Sequence, residues 1–560
     1  MKTKFMLAAV SLCVFGMSNS QAAGRAESTT PEALIGKRLF FETRFAQAFF
    51  AQSKGNVNAA AIAGDPNLAK TLTAGSALPG VFTGKTMNCR ACHLEDELRD
   101  APGGGMRTYA DFSRRTVIPS RNDGKATTTR NTPTLVGASI ARDNFLLHLD
   151  GEFASGPDLV IGGFTGRNFG WLATEQAAAL KNIANVIRKD DGSGDLAIQY
   201  GGAYAKVFAG DASVPVAFQL SAANRLDVST AKDDKIAALV GNLVNVYMQS
   251  LDFSRDAGGL YNGSPYDLFL KRNNLPRAPN SGESRADYSR RLHDAVMALA
   301  KPNFVTPADG NFTTHAIPYE FGADELAGFR LFFSGPQGAP PPPTPPGAAA
   351  PGPGGGAARG SGNCIACHTA PEFTDFSFHN TGVSQLEYDV LHGNGSFTAL
   401  HIPSLAERKK APADAFPSNA KHPDYKGTFR TPPSASLPGV TDLGVWNVLG
   451  NPDIPKPQKA LLNLFNAQGG GQKGDALLTR AIAAFKTPGL RDLGHSQPYL
   501  HNGSLDTTRD VTDFYARVGN MARAKQIRNA DPRLAGINLS PEEAAQIAKF
   551  LDALNEDFSD

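Results

Sequence analysis

The pentapeptide Cys-x-x-Cys-His occurs twice in this chain, as Cys89-Arg90-Ala91-Cys92-His93 and as Cys364-Ile365-Ala366-Cys367-His368. This is the pattern of covalent haem c attachment. The two thiols add to the vinyl groups of one haem, and the adjacent histidine becomes an iron ligand. A fold built on two such sites has to enclose two flat apolar macrocycles. The chain has five cysteines. Cys13 lies in a leader and the other four all sit in the motifs, so none is left for a disulfide. A zinc ribbon also uses paired Cys-x-x-Cys, but both pairs would then meet at one ion, and the histidine after each pair would have no role.

Residues 1–22 read as a secretory signal peptide. Lys2 and Lys4 supply the positive start, Phe5 to Phe15 the apolar stretch, and Ser20-Gln21-Ala22 a small-x-small cleavage site. The apolar run is short for a membrane anchor, and Leu12 before Cys13 argues against a lipoprotein. No later segment is apolar enough to cross a membrane. Haem c is attached outside the cytoplasmic membrane in bacteria, so the leader and the motifs agree on a periplasmic protein. The formal charge of +2 falls to about zero once Lys2 and Lys4 are removed. That balance argues against a nucleic acid or an anionic membrane as the partner and leaves room for a local docking patch for a redox partner.

The sequence repeats itself once. Leu34-Ile35-Gly36-Lys37-Arg38-Leu39-Phe40-Phe41 returns as Leu326-Ala327-Gly328-Phe329-Arg330-Leu331-Phe332-Phe333, and each copy precedes one haem motif. Thr132-Pro133-Thr134-Leu135 is echoed by Thr487-Pro488-Gly489-Leu490, and Asp150-Gly151 by Asn502-Gly503. The order is therefore that of a tandem duplication of one haem domain. The predicted division is 23–320 for the first domain and 321–560 for the second.

Helical spacing is clear at Glu175 to Lys189, where Leu180, Ile183, Val186 and Ile187 share a face, and again at Lys235 to Leu251. Ser540-Pro541-Glu542-Glu543 predicts an N-cap followed by proline in the first turn. Strand signals are sparse, so the predicted class is mainly α: two tandem cytochrome c-like haem domains with long loop insertions. Residues 335–360 hold 9 Pro and 8 Gly in 26 and read as a low-complexity insertion. A second insertion, about 380–475, is also rich in Pro and Gly, and its role is not evident from the residues.

On these residues the chain resembles the bacterial di-haem cytochrome c peroxidases, including the branch that matures a quinone cofactor in methylamine dehydrogenase. The resemblance rests on both haem motifs, on Arg130-Asn131-Thr132-Pro133, and on Phe485-Lys486-Thr487-Pro488-Gly489-Leu490-Arg491. It continues through Pro498-Tyr499-Leu500-His501-Asn502-Gly503-Ser504-Leu505 and Asp513-Phe514-Tyr515. Tyr247 to Leu251 followed by Ser264 to Asp267 looks like the end of the family's first domain.

The resemblance implies two covalent haems with different tasks. The His93 haem would be the peroxide site, with an open or openable far side. The His368 haem would move electrons, its sixth ligand being Tyr515, as in the quinone-maturing branch, with Met521 as rival. A calcium ion between the domains would use Asn131, Ser496 and Pro498; otherwise Asn131 caps a turn. The implied reaction reduces hydrogen peroxide to water with electrons from a small periplasmic donor, a cytochrome c or a cupredoxin. The alternatives are oxidation of a side chain on a partner protein, and a non-catalytic electron carrier with Met106 and Met521 as sixth ligands. Two departures stand out. The family's Trp before Asp-Gly is Leu149 here, preceded by His148, and Trp171 is one candidate for a replacement electron route, ordinary core packing the other. The family's distal Asn-Pro-x-Glu-Met segment is replaced by Arg167-Asn168-Phe169-Gly170-Trp171, which leaves Glu175 as the nearest acid and Arg167 as a second catalytic candidate. No histidine lies between His93 and Arg130 to act as a removable ligand.

Overall fold

A computed structural model describes residues 28–60, 87–93, 115–116, 118–312, 317–335, 360–468 and 471–556. The leader, Met106 and residues 336–359 of the Pro/Gly-rich insertion lie outside the described residues. The fold is mainly α. Its one sheet among the described residues has two short antiparallel strands, Phe378–His379 and Phe485–Lys486.

Each copy of the repeated octapeptide is a helix, Pro31–Phe40 and Ala323–Phe333. Each crosses one partner helix closely, Asp233–Ser250 in the first half and Pro541–Asp552 in the second. The repeated glycine makes the crossing possible. A Cβ on Gly36 would fall 2.1 Å from the Leu243 carbonyl oxygen, and one on Gly328 would fall 1.9 Å from that of Gln546. The next contact of each is also equivalent, with Tyr247 and Phe550 one turn further along the partner helix. The duplication read from the sequence is thus a duplicated helix–helix contact.

The predicted caps form. Ser540 accepts from the Glu543 amide, with Pro541 in the first turn. The periodic segment expected at Glu175 to Lys189 is a helix at Gln176–Lys189, preceded by a 3₁₀ turn at Ala173–Glu175. Trp171 is buried in the first core, donating its indole N–H to the Phe45 carbonyl at 3.0 Å. Its surroundings are those of ordinary core packing.

Three main cores follow along the chain. The first runs from Ile35 to Leu251. The second gathers Phe329, Phe332, Phe333, Phe373 and Phe550 into a ring cluster, joined by residues from Tyr266 onward. The helices Pro265–Arg272 and Arg285–Met297 pack into this second core, so the changeover between cores falls between Leu251 and Tyr266 and not at 320. The third core is made almost wholly by residues 378–484, around Trp446, Leu461 and Phe465. The second insertion is therefore a packed unit. Its Pro and Gly residues punctuate short helices.

Candidate metal centres

Both haem motifs adopt the same local geometry. Cys89–Ala91 and Cys364–Ala366 are 3₁₀ turns. The amide of His93 donates to the Cys89 carbonyl at 2.9 Å, and that of His368 donates to the Cys364 carbonyl at 2.8 Å. The turn brings two thiols and an imidazole to one side of the backbone, which a single macrocycle requires.

The imidazoles are oriented through Nδ1. His93 Nδ1 is 3.0 Å from the carbonyl oxygen of Pro133, in Thr-Pro-x-Leu. His368 Nδ1 is 2.8 Å from the Phe373 carbonyl oxygen, and the Pro488 carbonyl of the second Thr-Pro-x-Leu also bonds the ring. A carbonyl on Nδ1 fixes the tautomer that leaves Nε2 free for a metal. Burial pushes His93 down to about 4 and lowers His368 as well, which keeps both rings neutral, the ligating form.

His93, Cys89 and Cys92 open onto a cavity of about 530 Å³. That lies in the range of cofactor sites, roughly 300–1,000 Å³. Phe40, Leu135, Leu159, Phe164, Val244 and Phe253 supply apolar wall. Cations face it too. Lys486 lines the cavity and is half-buried. Burial, then Arg142, push it down to about 7. Arg142 donates to the carbonyls of Ile140 and Leu146 and lies over the Phe145 and Phe376 rings. An apolar cavity with basic side chains in its wall fits an apolar macrocycle carrying carboxylates. The residues present thus suit haem at this motif.

The candidate distal residues part company. Arg167 lines the cavity, with its guanidinium held by Asp123 at 2.6 and 2.9 Å. Glu175 does not line it. Both its oxygens are taken by Arg121, at 2.7 and 2.9 Å, and one also accepts from the Leu172 amide. Two acids do line the cavity, Glu372, which is paired with Arg285, and Glu152, which has His148 beside it. Sequence reasoning passed over this pair. The signal was there, a His and a Glu flanking Leu-Asp-Gly, but only the turn shows that both side chains emerge on one side.

At the second site, burial raises the Tyr515 hydroxyl above its ordinary range, and the Cys367 and Cys364 thiols act in the same sense. Tyr515 packs against the small core around Val518 and Ile537, within electrostatic reach of the second motif's cysteines. Met521 packs against the same small core. For the calcium set, the Asn131 amide reaches the Pro498 carbonyl oxygen at 2.5 Å and that of Leu500 at 3.4 Å. Ser496 turns its hydroxyl to the Asp492 carbonyl oxygen.

The first unit and the 380–484 unit are joined by a buried ion network beside the cavity. Arg130 pairs with Asp150 at 2.8 Å and with Asp442 at 2.6 Å. Arg430 pairs with Asp150 at 3.1 Å and with Glu152. Burial raises the Glu152 and Asp442 carboxyls, but Arg430 and Arg130 outweigh it and hold both below the ordinary range. No helix among the described residues is long and apolar enough to cross a membrane.

Comparison with known proteins gives relatives of one kind. No protein-family profile matches the chain. It is 26% identical over 197 residues to cytochrome-c peroxidase IdrP2 of Denitromonas iodatirespirans, covering 35% of this chain and 37% of that protein. It is 34% identical over 74 residues to cytochrome-c peroxidase IdrP1 of the same organism, 13% of this chain and 18% of that one. The match thus spans little more than a third of the length of IdrP2. Among solved structures, the diheme peroxidase BthA from Burkholderia thailandensis aligns at 14% identity and TM-score 0.41, over 95% of this chain and 87% of that one. A MauG-like protein associated with microbial copper homeostasis aligns at 14% identity and TM-score 0.41, over 95% and 91%.

Proposed function

We propose that this chain, a relative of the cytochrome-c peroxidases, is a periplasmic di-haem oxidoreductase that reduces hydrogen peroxide to water. Two electrons per peroxide would come from a small redox carrier, a cytochrome c or a cupredoxin. The observation that carries this reading is the inequality of two otherwise equivalent motifs. His93 looks into a cavity of about 530 Å³, whereas the cysteines of the second motif have a tyrosine within electrostatic reach.

In the proposed holoprotein, Cys89 and Cys92 would hold the first haem and His93 would ligate its iron through Nε2. Cys364, Cys367 and His368 would hold the second, with Tyr515 as its other ligand. Bound there, haem iron supplies the redox chemistry that cleaves an O–O bond. The chain's own part is to orient both imidazoles through backbone carbonyls, to seat the haem carboxylates near Lys486 and Arg142, and to exclude bulk water with the apolar wall. Asn131 and the Pro498 carbonyl would join in a calcium site at the junction of the halves.

Tyr515 favours a second reading, in which the electrons come from a side chain on a partner protein. An oxygen ligand at the second haem stabilises higher oxidation states.

The test is electron paramagnetic resonance on the as-isolated protein, with peroxide turnover against reduced carriers. One high-spin and one low-spin signal together with carrier oxidation support the peroxidase. Two low-spin signals without turnover overturn it in favour of an electron carrier. Peroxide consumption that no carrier sustains favours the partner-protein substrate.

A further inference from the structure

We propose that His148, oriented by Glu152 and backed by Arg430, is the acid–base group of the first haem cavity. This rests on the peroxidase reading and names the residue that moves the proton.

The geometry begins in a hairpin-like turn. Leu147 and Phe153 form an antiparallel bridge, the Leu147 amide donating to the Phe153 carbonyl at 2.8 Å. The chain between them turns sharply, with Gly151 at φ 73° and His148 at φ 64°. A left-handed conformation is unfavourable for a histidine and free of strain for glycine. Held there, His148 and Glu152 emerge together onto the cavity wall.

His148 Nδ1 is 3.2 Å from Glu152 Oε2. Glu152 is in turn fixed by Arg430, whose guanidinium reaches both carboxylate oxygens. The arrangement is that of a base oriented by a third group. Glu152 holds a proton on Nδ1, so Nε2 is left to work. The Phe153 ring, edge-on at 4.9 Å, limits rotation of the imidazole. Glu175, the acid expected from the sequence, is closed off by Arg121.

The charged groups around the pair come from several elements. Arg430 belongs to the 380–484 unit, Lys125 and Arg130 to the segment before the first Thr-Pro-x-Leu, Lys486 to the second strand and Asp150 to the turn itself. His93 shares the cavity.

The proton path balances simply. His148 Nε2 accepts the proton of one peroxide oxygen and returns it to the other as the O–O bond breaks, so that oxygen leaves as water. Overall, two electrons from the carrier and two protons from solvent convert one peroxide into two waters.

The experiment uses the holoprotein and the variants His148→Asn, His148→Gly and Glu152→Gln. Asn and Gly tolerate the left-handed conformation, so the turn survives. Two rates are read across pH: reaction with peroxide, and binding of hydrogen cyanide, which must surrender a proton to bind iron. Both His148 variants are expected to lose about a hundredfold in each rate, with Glu152→Gln between them and wild type. Unchanged rates and pH profiles overturn the proposal. So does a change from a low-spin to a high-spin first haem in His148→Asn, which would make His148 an iron ligand. If wild type does not turn over peroxide, the peroxidase reading fails, and the cyanide rates still judge the pair.

Discussion

At the scale of single residues, the cavity and the third core use arginine in opposite ways. Arg130 and Arg430 are buried among carboxylates. Arg408 is buried among rings. It lies 4.5 Å from the Phe416 centroid and 4.4 Å from that of Trp446, and its nitrogens have no hydrogen-bond partner among the described residues. Burial alone pushes it down to about 10. Cation–π attraction of roughly 2 kcal/mol in a desolvated site does not offset the loss of hydration, which is several kcal/mol per buried ion. Arg408→Met keeps the aliphatic stem and removes the charge. It is expected to leave stability unchanged or to raise it by about 1–4 kcal/mol, measured as the urea midpoint of the holoprotein. A loss of more than about 2 kcal/mol would show that the guanidinium has a partner after all.

At the scale of elements, the repeated helix contact is the most demanding feature. Gly36 and Gly328 sit where two helix backbones touch, and any side chain there meets a carbonyl oxygen. An added methyl at such a contact costs typically 1–3 kcal/mol, and more where backbone has to move. Gly36→Ala is expected to destabilise the first haem unit, and Gly328→Ala the second. The readout is the thermal midpoint followed at each haem's own absorption. Equal effects of both variants on both haems would show that the two helix pairs do not stabilise separate units. The turns carrying Cys89 and Cys364 are too short to be stable alone and depend on these helices for support.

At the scale of the whole molecule, the 380–484 unit closes one side of the first cavity and is fastened there by the Arg130–Arg430 network. Glu152 and Asp442 have carboxyl pKa values lowered by those arginines. A lowered folded-state value means the stabilisation is complete above the unfolded value and is lost as pH falls through the folded one. Stability is therefore expected to hold at neutral pH and to decline below about pH 4. Arg130→Gln, which leaves the buried Asp442 without its arginine and Asp150 with Arg430 alone, is expected to cost about 3–5 kcal/mol at neutral pH and to weaken the acid dependence. Thermal unfolding from pH 3 to 7 measures both. An acid limb identical in wild type and Arg130→Gln would rule out the network as its source.

The sequence alone determined what is local or repeated. Cys-x-x-Cys-His fixes the attachment chemistry within five residues, the octapeptide repeat fixes the duplication, and 3.6-residue periodicity with caps fixes the main helices. These signals need no distant partner. Tertiary structure decided everything that depends on which segments meet. The changeover between cores moved from 320 to between 251 and 266 because the helices after Ser264 bury their apolar faces against the second aromatic cluster. The second insertion, about 380–475, proved to be a packed wall, since short helices joined by turns leave little periodicity to read. Glu175 is nearest in sequence to the expected distal segment, but Arg121 claims it; His148 and Glu152 were inconspicuous until a left-handed turn set them together on the cavity. Bond chemistry is written in neighbouring residues, whereas the side chains that face an iron are chosen by how distant backbones pack.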